Sequence, residues 1–186
     1  AKVFINLLLR TCKERGLLNF DSLYSRKYWV DKVTYWKKKY IPSPNYWPYE
    51  FIRSLSLSLD EKEIVVFSAG GALIWCSQAW ITKEGQRIFT DNGHSSLGYT
   101  LPAAIGAAIA LEGKKRIIAI CGDGDLMFNL QELQTLKNYN LPVKLFILNN
   151  QCYGIAKNYQ DTYFESRYEA SGKGYSIPDF KKVAEA

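Results

Sequence analysis

The sequence predicts an α/β domain, an open parallel sheet with helices on both faces, and three observations carry that expectation. The apolar runs Ile64-Val65-Val66-Phe67 and Leu145-Phe146-Ile147-Leu148 are continuous rather than alternating, as strands buried on both faces should be. Stretches with helical spacing alternate with such runs from Tyr49 to Asn149, the order that produces parallel strands joined by crossover helices. Glycine punctuation stands between them, at Gly70-Gly71, Gly93 and Gly122-Asp123-Gly124.

Taken in order, residues 2–10 read as a short strand or a buried helix. Tyr24 to Tyr40 read as an amphipathic basic helix with Trp29, Val33 and Trp36 at helical spacing. Pro42, Ser43, Pro44, Asn45 and Pro48 then break the pattern and predict a linker over 41–48. The expected organisation is therefore residues 1–44 as the end of a preceding domain plus basic helix and linker, and residues 45–186 as the main domain. Within the latter the pattern predicts a helix over Tyr49–Ser58, a strand over Ile64–Ser68, a Gly70-Gly71 turn, a helix over Leu73–Ile81 and a strand over Arg87–Phe89. A glycine-rich loop, a small-residue helix over Leu101–Leu111, a strand over Arg116–Cys121, a helix over Leu126–Tyr139 and a strand over Val143–Asn149 follow. After Pro178 a last helix begins and no strand closes the sheet. The chain is expected to be truncated at both ends, a piece of a longer polypeptide.

With 186 residues, 47% of them hydrophobic, the chain is long enough for one well-buried domain. Cys12, Cys76, Cys121 and Cys152 are far apart and form no CxxC pair, which argues against a zinc site or a disulfide framework and for free thiols in the cytoplasm. The apolar run Val3 to Leu9 is too short to span a membrane. The formal charge of +6 is concentrated before residue 41, where Arg26, Lys27, Lys32, Lys37, Lys38 and Lys39 alternate with Tyr28, Trp29, Tyr35, Trp36 and Tyr40. Basic residues interleaved with aromatics can bind nucleic acid, but no recognised motif accompanies them, so a solvated face packed on a neighbouring domain is the favoured reading.

Arg116 to Asn150 carry the chemistry. An apolar strand runs into Gly122-Asp123-Gly124-Asp125, a helix follows, and a second apolar strand ends in Asn149-Asn150. A right-handed crossover puts both strand ends at the same carboxyl edge of the sheet, where open α/β sheets bind ligands. A carboxylate and an amide oxygen there suit a hard divalent cation shared with a phosphate. The flanking glycines let the backbone approach an anion, and the helix start offers it unpaired N–H groups.

Gly-Asp-Gly, one helix, then Asn-Asn resembles the thiamine-diphosphate signature. ICGDGDLMFNLQEL with NLPVKLFILNNQCYGI looks like the acetolactate synthase and pyruvate decarboxylase superfamily, over residues 45 to 186. The resemblance implies the diphosphate-binding domain of such an enzyme, with thiamine diphosphate and Mg2+ (or Ca2+ or Mn2+) as cofactors. It implies Asp123, the Asn150 side chain and the Cys152 carbonyl as metal ligands, and Gly122, Gly124, Asp125, Gly154 and Ile155 near the diphosphate. Asp91 to Gly106, DNGHSSLGYTLPAAIG, resembles a second family segment. It implies that Leu97 wedges between the cofactor rings while the Ser95 carbonyl and the Leu97 N–H bind the aminopyrimidine.

Gly71 and Ala72 match positions where acetolactate synthases carry polar side chains near the diphosphate, so contact there is expected from backbone N–H groups. Asp125 replaces the family's Ser or Ala and is expected to turn away or cap the helix at Leu126. His94 is a candidate for substrate-side proton transfer or an incidental loop residue. Tyr153, Tyr159, Tyr163 and Phe164 either line a substrate funnel or pack. The family's activating glutamate has no match in this chain, which leaves the catalytic residue unassigned and the chain alone expected to be inactive. The resemblance further implies a small carbonyl substrate, a 2-oxo acid or related ketone, for decarboxylation, carboligation or C–C cleavage, and a homodimer or homotetramer. A non-catalytic thiamine-diphosphate-binding or regulatory module is the alternative.

Overall fold

In a computed structural model the described residues are 2–16, 26–40 and 46–186, and the chain divides into two units, Ala1–Pro42 and Ser43–Ala186. Among the described residues of the first unit are two helices, α1 (Lys2–Glu14) and α2 (Arg26–Tyr40). Of the two conformations expected for residues 2–10 the helix is the one formed, but it is not buried: Val3, Phe4, Ile5, Leu7, Leu8 and Leu9 are exposed. In α2 the Lys32 ammonium lies 5.3 Å from the Tyr28 ring centroid, 5.9 Å from that of Trp29 and 5.2 Å from that of Trp36. Cation and aromatics of the basic helix thus engage one another.

The expected linker falls partly on residues 41–45, which lie outside the described residues. Pro48 does not belong to it, because α3 already starts at Trp47 (Trp47–Ser58) and Pro48 sits in its first turn. A proline is tolerated there because a first-turn N–H has no intrahelical acceptor.

The second unit is built on four strands, β1 (Ile64–Phe67), β2 (Arg87–Phe89), β3 (Ile117–Gly122) and β4 (Val143–Leu148). Their order is β2-β1-β3-β4 and every pairing is parallel. Side chains alternate across a strand. Accordingly Ile64, Val66, Ile117 and Ala119 meet Ala104 and Ala108 of α5 (Thr100–Ala110) on one face. On that face Leu101, Ile105, Cys121 and Leu126 continue the core toward Phe180. Val65, Phe67, Ile118 and Ile120, all buried, point the other way, toward α4 (Gly70–Ala79), which packs on β1 and β3 and against α3. The α/β architecture is as the alternating pattern predicts.

Three local departures have identifiable causes. The Gly70-Gly71 pair is the first turn of α4 rather than a free turn, and the sharp entry is made at Ala69 and Gly70, both at φ 56. The helix expected over Leu126–Tyr139 is divided into α6 (Asp123–Met127), a 3₁₀ turn (Leu130–Glu132) and α7 (Leu133–Asn138). The break sits at Asn129, whose amide donates to the Gly98 carbonyl at 2.7 Å instead of facing solvent. Helix α8 (Gly154–Tyr163) was not anticipated at all. The helix expected after Pro178 is α9 (Phe180–Glu185), capped by Asp179, which accepts from the Lys181 and Lys182 N–H groups at 3.0 and 3.4 Å. No helix among the described residues is long and apolar enough to cross a membrane.

Candidate functional site

Because all four strands are parallel, their carboxyl ends share one edge. From β1 the chain leaves to β2 on one side and then to β3 on the other, so the strand order reverses between β1 and β3. Open α/β sheets bind ligands at that switch point. The segments bordering it are Ser68 to Ala72, which enters α4, and Gly122 to Asp125, which enters α6. Register does the rest: Gly122 pairs with Leu148, so Asp123 and Asn149-Asn150 emerge from adjacent strands at the same level.

Three oxygen-bearing groups converge there. The Asp123 carboxylate is only 1% exposed. The end of the Asn150 amide that faces it lies 3.0 Å from Asp123 Oδ1 and 2.8 Å from the Cys152 carbonyl oxygen. The two ends of an amide are told apart by their partners. With NH2 inward, Asn150 donates to both oxygens; with its oxygen inward, that oxygen accepts the Cys152 N–H at 3.3 Å and stands beside the two other oxygens. Oxygens around a cation at Mg2+ distances are spaced ~3 Å apart along an octahedral edge, the spacing found here. The donor set therefore fits a hard divalent cation. Among the described residues no group of three or more His, Cys, Asp or Glu side chains could hold a metal. A cation here depends on the amide and the carbonyl.

The other Asp123 oxygen is taken. Tyr175 donates its hydroxyl to Oδ2 at 3.1 Å. Burial first, then the Asp123 charge, push the Tyr175 hydroxyl well above the usual tyrosine range, so it remains a donor. Tyr153 and Tyr175 stack edge to face with ring centroids 4.8 Å apart. They also explain why residue 124 is glycine: a Cβ there would lie 2.4 Å from the Tyr153 ring and 3.1 Å from the Tyr175 hydroxyl.

The loop from Asp91 to Tyr99 is pinned at both ends. Asp91 accepts from the Ser68 hydroxyl and, through Oδ2, from the Ser96 N–H at 2.6 Å. Desolvation pulls the Asp91 carboxyl upward, but the hydrogen bonds from Ser68 and Ser96 outweigh it and hold the group below its ordinary value. At the far end the Gly98 N–H donates to Asp125 Oδ1 at 2.5 Å. Asp125 therefore engages the Gly98 loop and does not cap α6, whose N-cap is Gly122. Burial pushes the Asp125 carboxyl above its usual value, against the influence of Thr100 and Gly98 and with that of Asp91. Its Oδ2 and Thr100 Oγ1 are buried without an aligned hydrogen bond. Between the pins, Ser95 sits at φ 50, and His94, Ser95 and Leu97 are exposed, Leu97 at 39%.

The remaining candidates lie around this edge. Gly71 and Ala72 are in the first turn of α4, where N–H groups lack intrahelical acceptors. Ala72 is buried. Gly154 and Ile155 open α8, and Ile155, Tyr159, Tyr163 and Phe164 expose apolar surface along it. All four cysteines are free thiols, and burial pushes those of Cys76 and Cys121 upward. Asn129 and Tyr175 are the contributors that sequence reasoning missed. Nothing local marks either one, since their partners lie 31 and 52 positions away.

Comparison with known proteins agrees with this geometry. The family described as thiamine pyrophosphate enzyme, C-terminal TPP binding domain, matches residues 68–186. The acetolactate synthase large subunit of Cyanidium caldarium is 35% identical over 188 aligned residues, covering 98% of this chain and 31% of that protein. The mitochondrial acetolactate synthase catalytic subunit of Saccharomyces cerevisiae is 34% identical over 173 residues, covering 87% of this chain and 24% of its own length. The acetolactate synthase large subunit of Parasynechococcus marenigrum is 32% identical, with 84% and 26% covered. The chain spans a quarter to a third of the length of these relatives.

Proposed function

Because this chain belongs to the thiamine pyrophosphate enzymes, as their C-terminal TPP-binding domain, we propose that it holds the cofactor's diphosphate through a divalent cation at Asp123, Asn150 and the Cys152 carbonyl. The protein that carries it is read as an acetolactate synthase-like enzyme acting on a 2-oxo acid or related ketone. The observation that carries the cation site is the approach of one end of the Asn150 amide to two oxygens, at 3.0 and 2.8 Å, beside a buried carboxylate.

When bound, the cofactor supplies an acidic thiazolium carbon that adds to a carbonyl and stores the resulting negative charge. The chain's own residues bind and orient. Asp123 contributes the negative charge and Asn150 and Cys152 neutral oxygens, a set suited to Mg2+, Ca2+ or Mn2+. The N–H groups of Gly71 and Ala72, in the first turn of α4, and the backbone of Gly122, Gly124, Asp125, Gly154 and Ile155 would hold the diphosphate. Leu97, with the Ser95 carbonyl and its own N–H, positions the rings. The family's pyrimidine-activating glutamate has no match in this chain; a partner subunit would supply it in a homodimer or homotetramer. The free thiols favour a reducing compartment such as the cytoplasm.

Calorimetry of the full-length protein with thiamine diphosphate and Mg2+ tests this. Cation-dependent cofactor binding that Asp123→Ala abolishes is the expected result. Binding that survives Asp123→Ala unchanged would refute the assignment.

A further inference from the structure

The two oxygens of the Asp123 carboxylate have different neighbours. Oδ1 lies 3.0 Å from the Asn150 amide, the same end of which is 2.8 Å from the Cys152 carbonyl; Oδ2 accepts from a tyrosine that lies in the segment between α8 and α9. A carboxylate on a short side chain beside two glycines can rotate, and rotation would exchange the oxygen offered to the cation. A fixed donor on Oδ2 removes that freedom.

We propose that Tyr175 is a positioning residue for the cation site: its hydroxyl, 3.1 Å from Asp123 Oδ2, holds the carboxylate with Oδ1 turned to the Asn150 amide and the Cys152 carbonyl. The inference rests on the cation site proposed above. Its support is independent of the Asn150 geometry, because the Tyr175 ring is itself fixed. It stacks on Tyr153 at 4.8 Å, the Tyr153 N–H donates to the Ser171 carbonyl at 2.8 Å, and the Tyr175 N–H donates to the Gly172 carbonyl at 3.1 Å. Ser171 is buried. The segment after α8 is thereby fastened to the loop that carries Asn150 and Cys152, and the hydroxyl arrives at Asp123 from a supported position. Hydrogen bonds from such outer partners fix the orientation of metal ligands, and their loss typically weakens binding about 10–100-fold.

The geometry also distinguishes orientation from competition. If the hydroxyl stood in the cation's place, removing it would strengthen binding; if it orients the ligand, removing it weakens binding. Tyr175→Phe keeps the ring on Tyr153 and deletes only the donor. The test is a titration of Mn2+ into the full-length protein in the presence of thiamine diphosphate, with free Mn2+ read by electron paramagnetic resonance, for wild type, Tyr175→Phe and Asp123→Ala.

The expected result is at least about tenfold weaker Mn2+ binding in Tyr175→Phe at an unchanged thermal unfolding midpoint, with no binding in Asp123→Ala. Wild-type or tighter affinity in Tyr175→Phe, with binding still abolished by Asp123→Ala, overturns the role of Tyr175 and leaves the cation site standing. Absence of Mn2+ binding in wild type, or its persistence in Asp123→Ala, overturns the cation site and this inference with it.

Discussion

The Asp125 carboxylate accepts the Gly98 N–H at 2.5 Å, joining two loops that lie 27 positions apart in the sequence. One side of this bond belongs to the segment that carries Leu97, the other to the segment that carries Asp123. The two proposed halves of the cofactor site, ring contact and diphosphate contact, are therefore mechanically connected within the chain itself.

That connection has a pH signature. Burial raises the Asp125 carboxyl above its ordinary value, so the folded protein binds more protons than the unfolded chain between the two values. Stability contributed by the neutral group is complete below the unfolded value and declines as pH rises toward the folded one. Asp125→Asn keeps an acceptor for Gly98 and brings a permanent donor toward Thr100 Oγ1. It is expected to raise the unfolding midpoint at pH 7, with the gain shrinking toward pH 4; a pH series of thermal melts checks it.

Asp91 behaves oppositely. Its carboxyl is held below its ordinary value, so the stability it contributes is present above that value and is lost as pH falls through the lower folded value. Asp91→Ala removes the acceptor for Ser68 and for the Ser96 N–H. A loss of about 1.5 kcal/mol is expected, as for hydrogen bonds to a charged group. Amide hydrogen exchange should show it first at Ser96, with the strands unaffected.

Gly98→Ala should be among the most damaging single changes in the domain. Gly98 sits at φ 84, and a Cβ there would lie 2.6 Å from the Asn129 amide nitrogen and 2.8 Å from Phe128 Cβ. Left-handed strain and collision add to a cost of about 2–4 kcal/mol. Denaturant unfolding measures it. Gly93→Ala, with open space around it and no positive φ, is the control and should be close to neutral.

Cys152→Ala separates backbone from side chain at the proposed cation site. Cys152 meets Asn150 through its backbone N–H and carbonyl, at 3.3 and 2.8 Å, so the alanine variant should keep Mg2+ affinity within about twofold, about 0.4 kcal/mol. Isothermal titration with Mg2+ and thiamine diphosphate decides the point, and a large loss would implicate the thiol.

Much of this was legible because strands buried on both faces leave continuous apolar runs. β1, β3 and β4 fall within a residue or two of their expected bounds. The Gly-Asp-Gly and Asn-Asn placements follow from parallel topology, which the alternation of elements already implies. What was not legible depends on distant partners. The break at Asn129 occurs within an unbroken helical spacing of Leu126, Leu130, Leu133 and Leu136, and only Gly98 accounts for it. Helix α8 exposes its aromatics and has no side-chain cap, so neither periodicity nor a start signal announces it. Tyr175 is one aromatic in a polar turn until the fold carries it to Asp123.

The pairing of Gly122 with Leu148 sets a gauge length for the site. The distance in sequence between Asp123 and Asn150 is a measurement of the crossover, and the hydrogen-bonded ladder, not that count, decides whether the two groups meet. Extra residues inserted in the turn between Asn138 and Pro142 would be absorbed outside the ladder. A single deletion within β4 would carry Asn150 to the opposite face, because strand side chains alternate with a period of two. The chemistry thus tolerates drift in length on one side of a strand and none within it.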